Sequence, residues 1–301
     1  MEPENIHDLS VQLFHQKPWL SSFLPRVKGG DKYSLSDGHM SWDFPVGLAA
    51  GFDKNALALD FLSRLGFGAI EAGTVTPKPQ VGNPKPRIQR IVKEESLLNS
   101  MGFPNQGQIK IMKNIQETVW ARTCKLGVNL GKNKLTTDKK TPEDYAVLYE
   151  AFAPLADYLV INISSPNTPG LRALQSKEGF KAICEAVEEK RKQSYKPLYL
   201  KIAPELEESD LKDLVELTKE FGFSGIVATN TSVSHQRGKG GLSGKSISEQ
   251  ARLAREKVLE MTRETPSLSV IGAGGISCFQ DIMDFWKKGG SFVQIYTAFI
   301  Y

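Results

Sequence analysis

Eight short apolar runs, alternating with stretches of helical character, constrain the fold of this chain more than any other feature. They are FPVGLAAG (44–51), AIEAGTVT (69–76), KLGVNLG (125–131), YLVINISS (158–165), PLYLKIAP (197–204), GIVATNT (225–231), LSVIGAGG (268–275) and FVQIYTA (292–298). Runs so continuously apolar read as parallel strands buried on both faces. Between them, the pattern over 55–65 predicts a helix stopped by Gly66 at C′. Leu211, Leu214, Val215 and Phe221 form one apolar stripe, with Ser209 as its N-cap and Gly222 as its stop. Eight strands alternating with helices predict an α/β fold, a closed (β/α)8 barrel of the TIM type, rather than an open doubly wound sheet. Such a barrel takes about 250 residues, and the chain has 301.

Two segments depart from a plain barrel. Before the first run, Ile6, Leu9, Leu13 and Phe14 share one helical face, and Trp19, Leu20, Phe23 and Leu24 follow Pro18. Two short amphipathic helices are expected there, capping the barrel floor or lying on a membrane surface. The expected division is a helical extension over 1–40 and a barrel over 41–301. At the other end the sequence stops three residues after the eighth run, so the eighth helix is expected to be absent. A net charge of +4 is too mild to argue for nucleic acid. No apolar run is long enough to span a membrane, and no secretory leader is visible. Cys124, Cys184 and Cys278 are far apart and read as ordinary buried thiols in a reducing compartment, with no zinc or other metal site expected.

Polar and glycine residues gather just after the strand ends, the face on which barrels carry their active sites. Turn chemistry explains many of them. It does not explain Asn162 and Lys201, which sit inside apolar runs and need buried partners. NISSPNTPGLR (162–172) packs Asn162, Ser164, Ser165, Asn167 and Thr168 between prolines, as a rigid polar loop. Lys54 after the first run and Arg87 and Arg90 in GNPKPRIQR (82–90) read locally as solvated charges. Asn99 and Asn105 offer amides, Asn129 and Asn230 sit at strand ends, and GGLSG (240–244) reads as a flexible segment. GAGGIS (272–277) and YTA (296–298) occupy the place where barrels bind phosphate through backbone N–H groups.

Taken together, AAGFDKN, GTVTPKPQVGNPKPRIQR, GVNLGKNK, NISSPNTPGLR and GGLSGK resemble the dihydroorotate dehydrogenases, FMN enzymes of pyrimidine synthesis. The resemblance runs over nearly the whole chain. Ser165, where soluble class 1 members carry cysteine, and the start EPENIH both point to class 2, whose members sit on a membrane and pass electrons to a quinone. The resemblance implies FMN contacts at Ala49, Ala50, Gly51, Phe52 and Asp53, then at Thr74, Asn129, Asn162 and Lys201. It adds Thr229, Gly244, Gly275, Tyr296 and Thr297. It implies dihydroorotate contacts at Lys54, Asn99, Ser100, Met101, Gly102 and Phe103, with Asn162, Asn167, Asn230 and Thr231. Ser165 is implied as the base, and His7 and Arg90 as quinone-site residues. A serine base needs activation, and Thr168 in the same loop is the candidate for a shared water relay, with Phe103 closing it from solvent.

The stretch NSMGFPN (99–105) departs from class 2. Ser100 stands where arginine is common and Pro104 where asparagine is common, which brings it closer to class 1. The expected activity is oxidation of dihydroorotate to orotate with a quinone acceptor, by a monomer held peripherally on the cytoplasmic face of the inner membrane. A class 1-like enzyme, another FMN barrel reductase and a non-catalytic barrel are the alternatives.

Overall fold

In the computed structural model, which describes residues 2–24, 32–120 and 124–301, the eight runs close into one barrel of parallel strands. They are β1 (Val46–Leu48), β2 (Ala69–Val75), β3 (Lys125–Leu130) and β4 (Tyr158–Asn162), then β5 (Leu198–Ile202), β6 (Gly225–Ala228), β7 (Ser269–Ala273) and β8 (Val293–Ile295). Strands pair in sequence order, and β8 returns to β1 with Gln294 opposite Gly47. Every residue of β2, β4, β5 and β6 is buried, which is why these runs are apolar throughout rather than alternating.

The amino-terminal end of the barrel is plugged by a hairpin, Leu35–Ser36 paired with Ser41–Trp42. Trp42 is fully buried and stacks on Phe292 with ring centroids 4.1 Å apart. Asp37 in the hairpin turn accepts hydrogen bonds from the Tyr199 and Ser269 hydroxyls at 2.5 and 2.8 Å. The floor is thus filled by the hairpin and not, as the amphipathic pattern suggested, by the N-terminal helices. Helix α1 (Pro3–Gln16) and the 3-10 turn Pro18–Phe23 lie beside α2 (Leu59–Ser63). Phe14 stacks on Phe61 at 3.8 Å, and the His15 ring meets the Leu57 carbonyl at 2.9 Å. Ile6, Leu9, Leu13, Trp19, Phe23 and Leu24 stay exposed. Residues 25–31 of the expected extension lie outside the described residues, as does Met1.

Other local expectations shift for identifiable reasons. The helix expected over 55–65 shortens to Leu59–Ser63, because the Asp53 carboxylate accepts from the Leu57 and Ala58 amides and holds 55–58 as a turn. Gly66 and Gly222 do adopt positive φ, +93° and +61°, at the two helix ends. Ser209 is not a cap. Its helix begins at Glu208 with Glu207 at the N-cap, so Ser209 falls inside the first turn. The segment expected to be flexible is a strand, Gly241–Gly244, which forms an antiparallel sheet with Ser96–Asn99 and Ile88–Ile91 beside the barrel mouth. Cys124 and Cys184 are buried, but Cys278 is exposed. After β8 the described chain continues as the short helix Thr297–Ile300, whose Phe299 packs edge-on against Phe52 and Phe67. No helix among the described residues is long and apolar enough to cross a membrane.

Candidate active site

The carboxyl ends of the strands and the side sheet enclose a cavity of about 1360 Å³, counted out to its open mouth. Its walls come from the ends of every strand but β3. β1 supplies Ala49, Ala50, Gly51 and Lys54, β2 supplies Thr74, and β4 and its loop supply Asn162, Ser165 and Asn167. β5 supplies Lys201, β6 supplies Thr229, Asn230 and Thr231, and the last two strands supply Gly275, Tyr296 and Thr297.

Buried amides and hydroxyls tie these strand ends together. Thr74 Oγ1 donates to Asn129 Oδ1 at 2.6 Å, and Asn162 Nδ2 donates to the same oxygen at 2.9 Å. Asn230 Nδ2 donates to Ser164 Oγ at 3.0 Å, and Ser164 Oγ donates to Asn162 Oδ1 at 3.1 Å. Each asparagine offers both donors and an acceptor, so one chain of bonds spans β2, β3, β4 and β6. The loop after β4 is fixed at both ends. Tyr145 Oη donates to the Asn162 carbonyl at 2.9 Å, while Arg172 donates to the Ser164 and Thr231 carbonyls and pairs with Glu205, each at 3.0 Å. Ser165 is buried and its Oγ accepts from the Asn167 amide at 3.3 Å. Asn167 Nδ2 in turn donates to Asn99 Oδ1 at 3.2 Å. Thr168 is buried with its hydroxyl free of any hydrogen-bond partner among the described residues.

At one end of the cavity the backbone makes a glycine cradle. Gly275 has φ +68°, and a Cβ there would collide with the Ser248 backbone. Gly244 has φ +93°, and a Cβ would meet Thr297 Cγ2 at 2.8 Å. Both positions demand glycine on grounds of conformation and space.

A second cavity lies under α1 and shares Lys54, Met101 and Pro104 with the first as a dividing wall. His7 lines it, with Lys54 Nζ 3.4 Å from His7 Nε2. Burial, reinforced by the Lys54 charge, lowers the His7 pKa to about 4, so the ring is neutral and accepts from the ammonium. Burial likewise lowers Lys54 to about 8, against the opposing pull of Asp8, Glu4 and Asp53. Arg87 is buried rather than solvated. It donates to Glu4 Oε1 at 2.7 Å and to the Val81 and Asn83 carbonyls at 2.5 and 2.8 Å.

A family model described as dihydroorotate dehydrogenase matches residues 38–301. The chain belongs to the dihydroorotate dehydrogenase family. A Dichelobacter nodosus relative named dihydroorotate dehydrogenase (quinone) is 38% identical over 321 residues, covering 100% of this chain and 91% of that one. A Nitratiruptor relative of the same name is 40% identical over 313 residues, covering 100% and 87%. The solved structure of the Eimeria tenella dihydroorotate dehydrogenase in complex with ferulenol superposes with a TM-score of 0.91 at 32% identity, covering 100% of this chain and 87% of that one. The class 2 resemblance read from Ser165 and the N-terminal segment is borne out by these names.

Most residues implied by the dihydroorotate dehydrogenase resemblance line the first cavity, but six do not. Phe52 packs on His7 and Phe299, and Asp53 holds the 55–58 turn. Asn129 lies behind the wall, supporting Thr74 and Asn162. Ser100 turns its backbone to Arg87 and Asn83. His7 lines only the second cavity. Arg90 lines neither and is exposed, its guanidinium 4.7 Å from the Tyr301 ring centroid. Asn105 spends its amide on Thr76 Oγ1, just after β2, and on the Phe103 carbonyl, at 2.8 and 2.9 Å, and it does not line the main cavity, so it does not replace the asparagine that Pro104 displaces. Sequence reasoning missed Glu4, Glu71 and Gln294. Glu71 is fully buried inside β2, and its position in an otherwise apolar run was the available signal.

Proposed function

We propose that this chain oxidises dihydroorotate to orotate, the redox step of pyrimidine synthesis, with FMN in the main cavity and a quinone as final acceptor. The observation that carries the reading is the gathering of Ser165, Lys54, Lys201 and the amides of Asn99, Asn162, Asn167 and Asn230 around one cavity. The residues fit the flavin nucleotide. Gly244, Gly275 and Thr297 suit its phosphate, since backbone N–H groups bind anions, and Ala49, Ala50 and Gly51 leave room for a flat ring. When bound, FMN supplies a two-electron acceptor for a hydride.

The chain's own groups account for the rest. Lys54, charged below about pH 8, meets the substrate carboxylate, and the asparagine amides meet the ring imides by donating and accepting. Ser165 Oγ takes the ring proton as its own hydroxyl proton passes to water through a relay, for which the free Thr168 hydroxyl, with Phe103 at the cavity wall, is the supporting group. Lys201 opposes the negative charge that reduction leaves on the ring. The cavity under α1, with His7 on its wall, supports quinone access, and Arg90 beside Tyr301 marks the neighbouring edge. The exposed apolar side chains of α1 and the following turn, beside Lys17, support a peripheral membrane contact. The three free cysteines suit a reducing compartment and hence its cytoplasmic face. We read the protein as a monomer.

Anaerobic addition of dihydroorotate to the yellow holoprotein tests this reading, and the flavin absorbance is expected to bleach. Reoxidation by a ubiquinone analogue, with little by fumarate or NAD, is expected next. Equal or faster reoxidation by fumarate would remove the quinone assignment.

A further inference from the structure

Lys201 is not a lone cation. Its Nζ lies 3.8 Å from Oε1 of Glu71, whose side chain is wholly buried on β2. No other ion-pair partner of Lys201 occurs among the described residues. Both Glu71 oxygens are already engaged, Oε1 by Asn129 Nδ2 at 2.7 Å and Oε2 by Gln294 Nε2 at 2.6 Å. Gln294 also donates to Tyr158 Oη at 3.2 Å, while its own Oε1 is buried without a partner. A separation of 3.8 Å exceeds the reach of a hydrogen bond. The ammonium protons thus remain available to a ligand, although its charge is offset from behind. Lys201 and Gln294 both line the main cavity.

A carboxylate with no water around it is costly to bury and is retained where it has partners. Asn129 and Gln294 satisfy its hydrogen bonds without neutralising it, so its field reaches past Lys201 into the cavity in a medium of low dielectric. We propose that Glu71 is a positioning and tuning residue, which holds Lys201 at the cavity wall and offsets its charge, setting the reduction potential of the flavin. This rests on the reading of the cavity as a flavin site. The balance concerns the two electrons and one proton that leave dihydroorotate as a hydride for the flavin. Lys201 favours the charge this leaves on the reduced ring, and Glu71 disfavours it. Offsetting the lysine keeps the reduced ring ready to give its electrons on to the acceptor.

The test is a midpoint potential on holoenzyme, by dye-equilibrated anaerobic reduction, with the sulfite dissociation constant as a second readout. Glu71→Gln is expected to raise the ratio of reduced to oxidised flavin at a fixed potential at least tenfold, about 30 mV for a two-electron couple. Sulfite should bind correspondingly tighter. Glu71→Asp, which keeps the charge, should stay much closer to the parent. If Glu71→Gln does not fold, the same charge is read in a neutral background. Glu71→Gln/Lys201→Met should then sit at least tenfold above Lys201→Met alone. A flavin-bound Glu71→Gln with an unmoved or lowered potential, or a double variant equal to Lys201→Met, overturns the inference and leaves the flavin reading standing. A parent protein that takes up no flavin overturns both.

Discussion

The two ends of the barrel solve opposite problems with the same strands. At the amino-terminal end Trp42, Phe292, Tyr158, Tyr199 and Val227 fill the bore, and the few polar atoms there pair with one another, as Asp37 does with Tyr199 and Ser269. At the carboxyl end the bore is left open, and its buried polar groups are chained together or left with a free valence, as at Gln294 Oε1. Close packing stabilises the first end and offers nothing to a ligand. The second end forgoes packing, and its unsatisfied groups are where a ligand can replace water. Mutations should therefore separate cleanly, with floor changes read in stability and mouth changes in rate.

The largest expected effect is at the mouth. Ser165→Ala should slow flavin reduction by dihydroorotate by about 10²–10⁴-fold, the range for loss of a positioned general base. Its melting temperature should fall by no more than about 4 °C, the shift that about 1 kcal/mol produces in a domain of this size. Loss of dihydroorotate binding with normal chemistry would instead make Ser165 a binding group. At the floor, Trp42→Ala should cost about 3–5 kcal/mol, the range for deleting a large buried aromatic. The fraction that remains folded should reduce its flavin at the parent rate. A slowed half-reaction in folded Trp42→Ala would show that the two ends are coupled through the bore.

Glu4 tests a region that belongs to neither end. It reaches from α1 to Arg87, which also holds the Val81 and Asn83 carbonyls of the segment packed against the substrate loop. Glu4→Ala should cost about 3 kcal/mol by stranding a buried guanidinium. It should also raise the KM for dihydroorotate, since Asn83 Nδ2 donates to the Ser100 and Asn167 carbonyls. Although burial opposes it, hydrogen bonds and charge from Arg87 and Lys85 hold the Glu4 carboxyl below its ordinary value of 4.5. A carboxyl depressed by folding stabilises above its unfolded pKa and loses that contribution as pH falls through the folded one. The α1 amides should accordingly keep their hydrogen-exchange protection at neutral pH and lose it only below about 4.5.

This contrast between the ends also explains what was legible in the sequence. Strands buried on both faces leave a continuous apolar signature, so all eight were read within a few residues. Polar residues inside those apolar runs, Asn162 and Lys201, stood out for the same reason, as did Ser165 in the loop after β4. Glu71 carried the same local signal, a charge inside an apolar run, but its partners Asn129 and Gln294 come from strands far away in the sequence, so the run did not say what it pairs with. Arg87 was misread because its counter-ion lies 83 residues upstream. The amphipathic stripe of α1 was real, but a stripe does not say which surface it meets. The floor had already been filled by a hairpin too short to register as strands. The segment 240–244 was misread because glycine-rich sequence suggests mobility, whereas here close approach of Gly240 to Asn99 and of Gly241 to Thr231 demands glycine.

The smallest effect expected is a pH limb, and it bears on where the mouth ends and the α1 cavity begins. Lys54 belongs to the walls of both. With its pKa lowered to about 8 by burial, it carries a charge below that pH and loses it above. Binding a carboxylate needs the charge, so kcat/KM for dihydroorotate should fall about tenfold per unit above pH 8, because this ratio reports the free enzyme. The bound carboxylate keeps the lysine protonated, so kcat should lack this limb. Asp8 is the largest of the charges that raise the Lys54 pKa. Asp8→Asn should therefore move the limb to lower pH without changing kcat, as measured by stopped-flow flavin reduction. A flat kcat/KM up to pH 9.5 would assign the substrate carboxylate to another group and Lys54 to the α1 cavity alone. A limb that Asp8 shifts would mean that a charge on α1 adjusts how tightly the mouth holds its substrate.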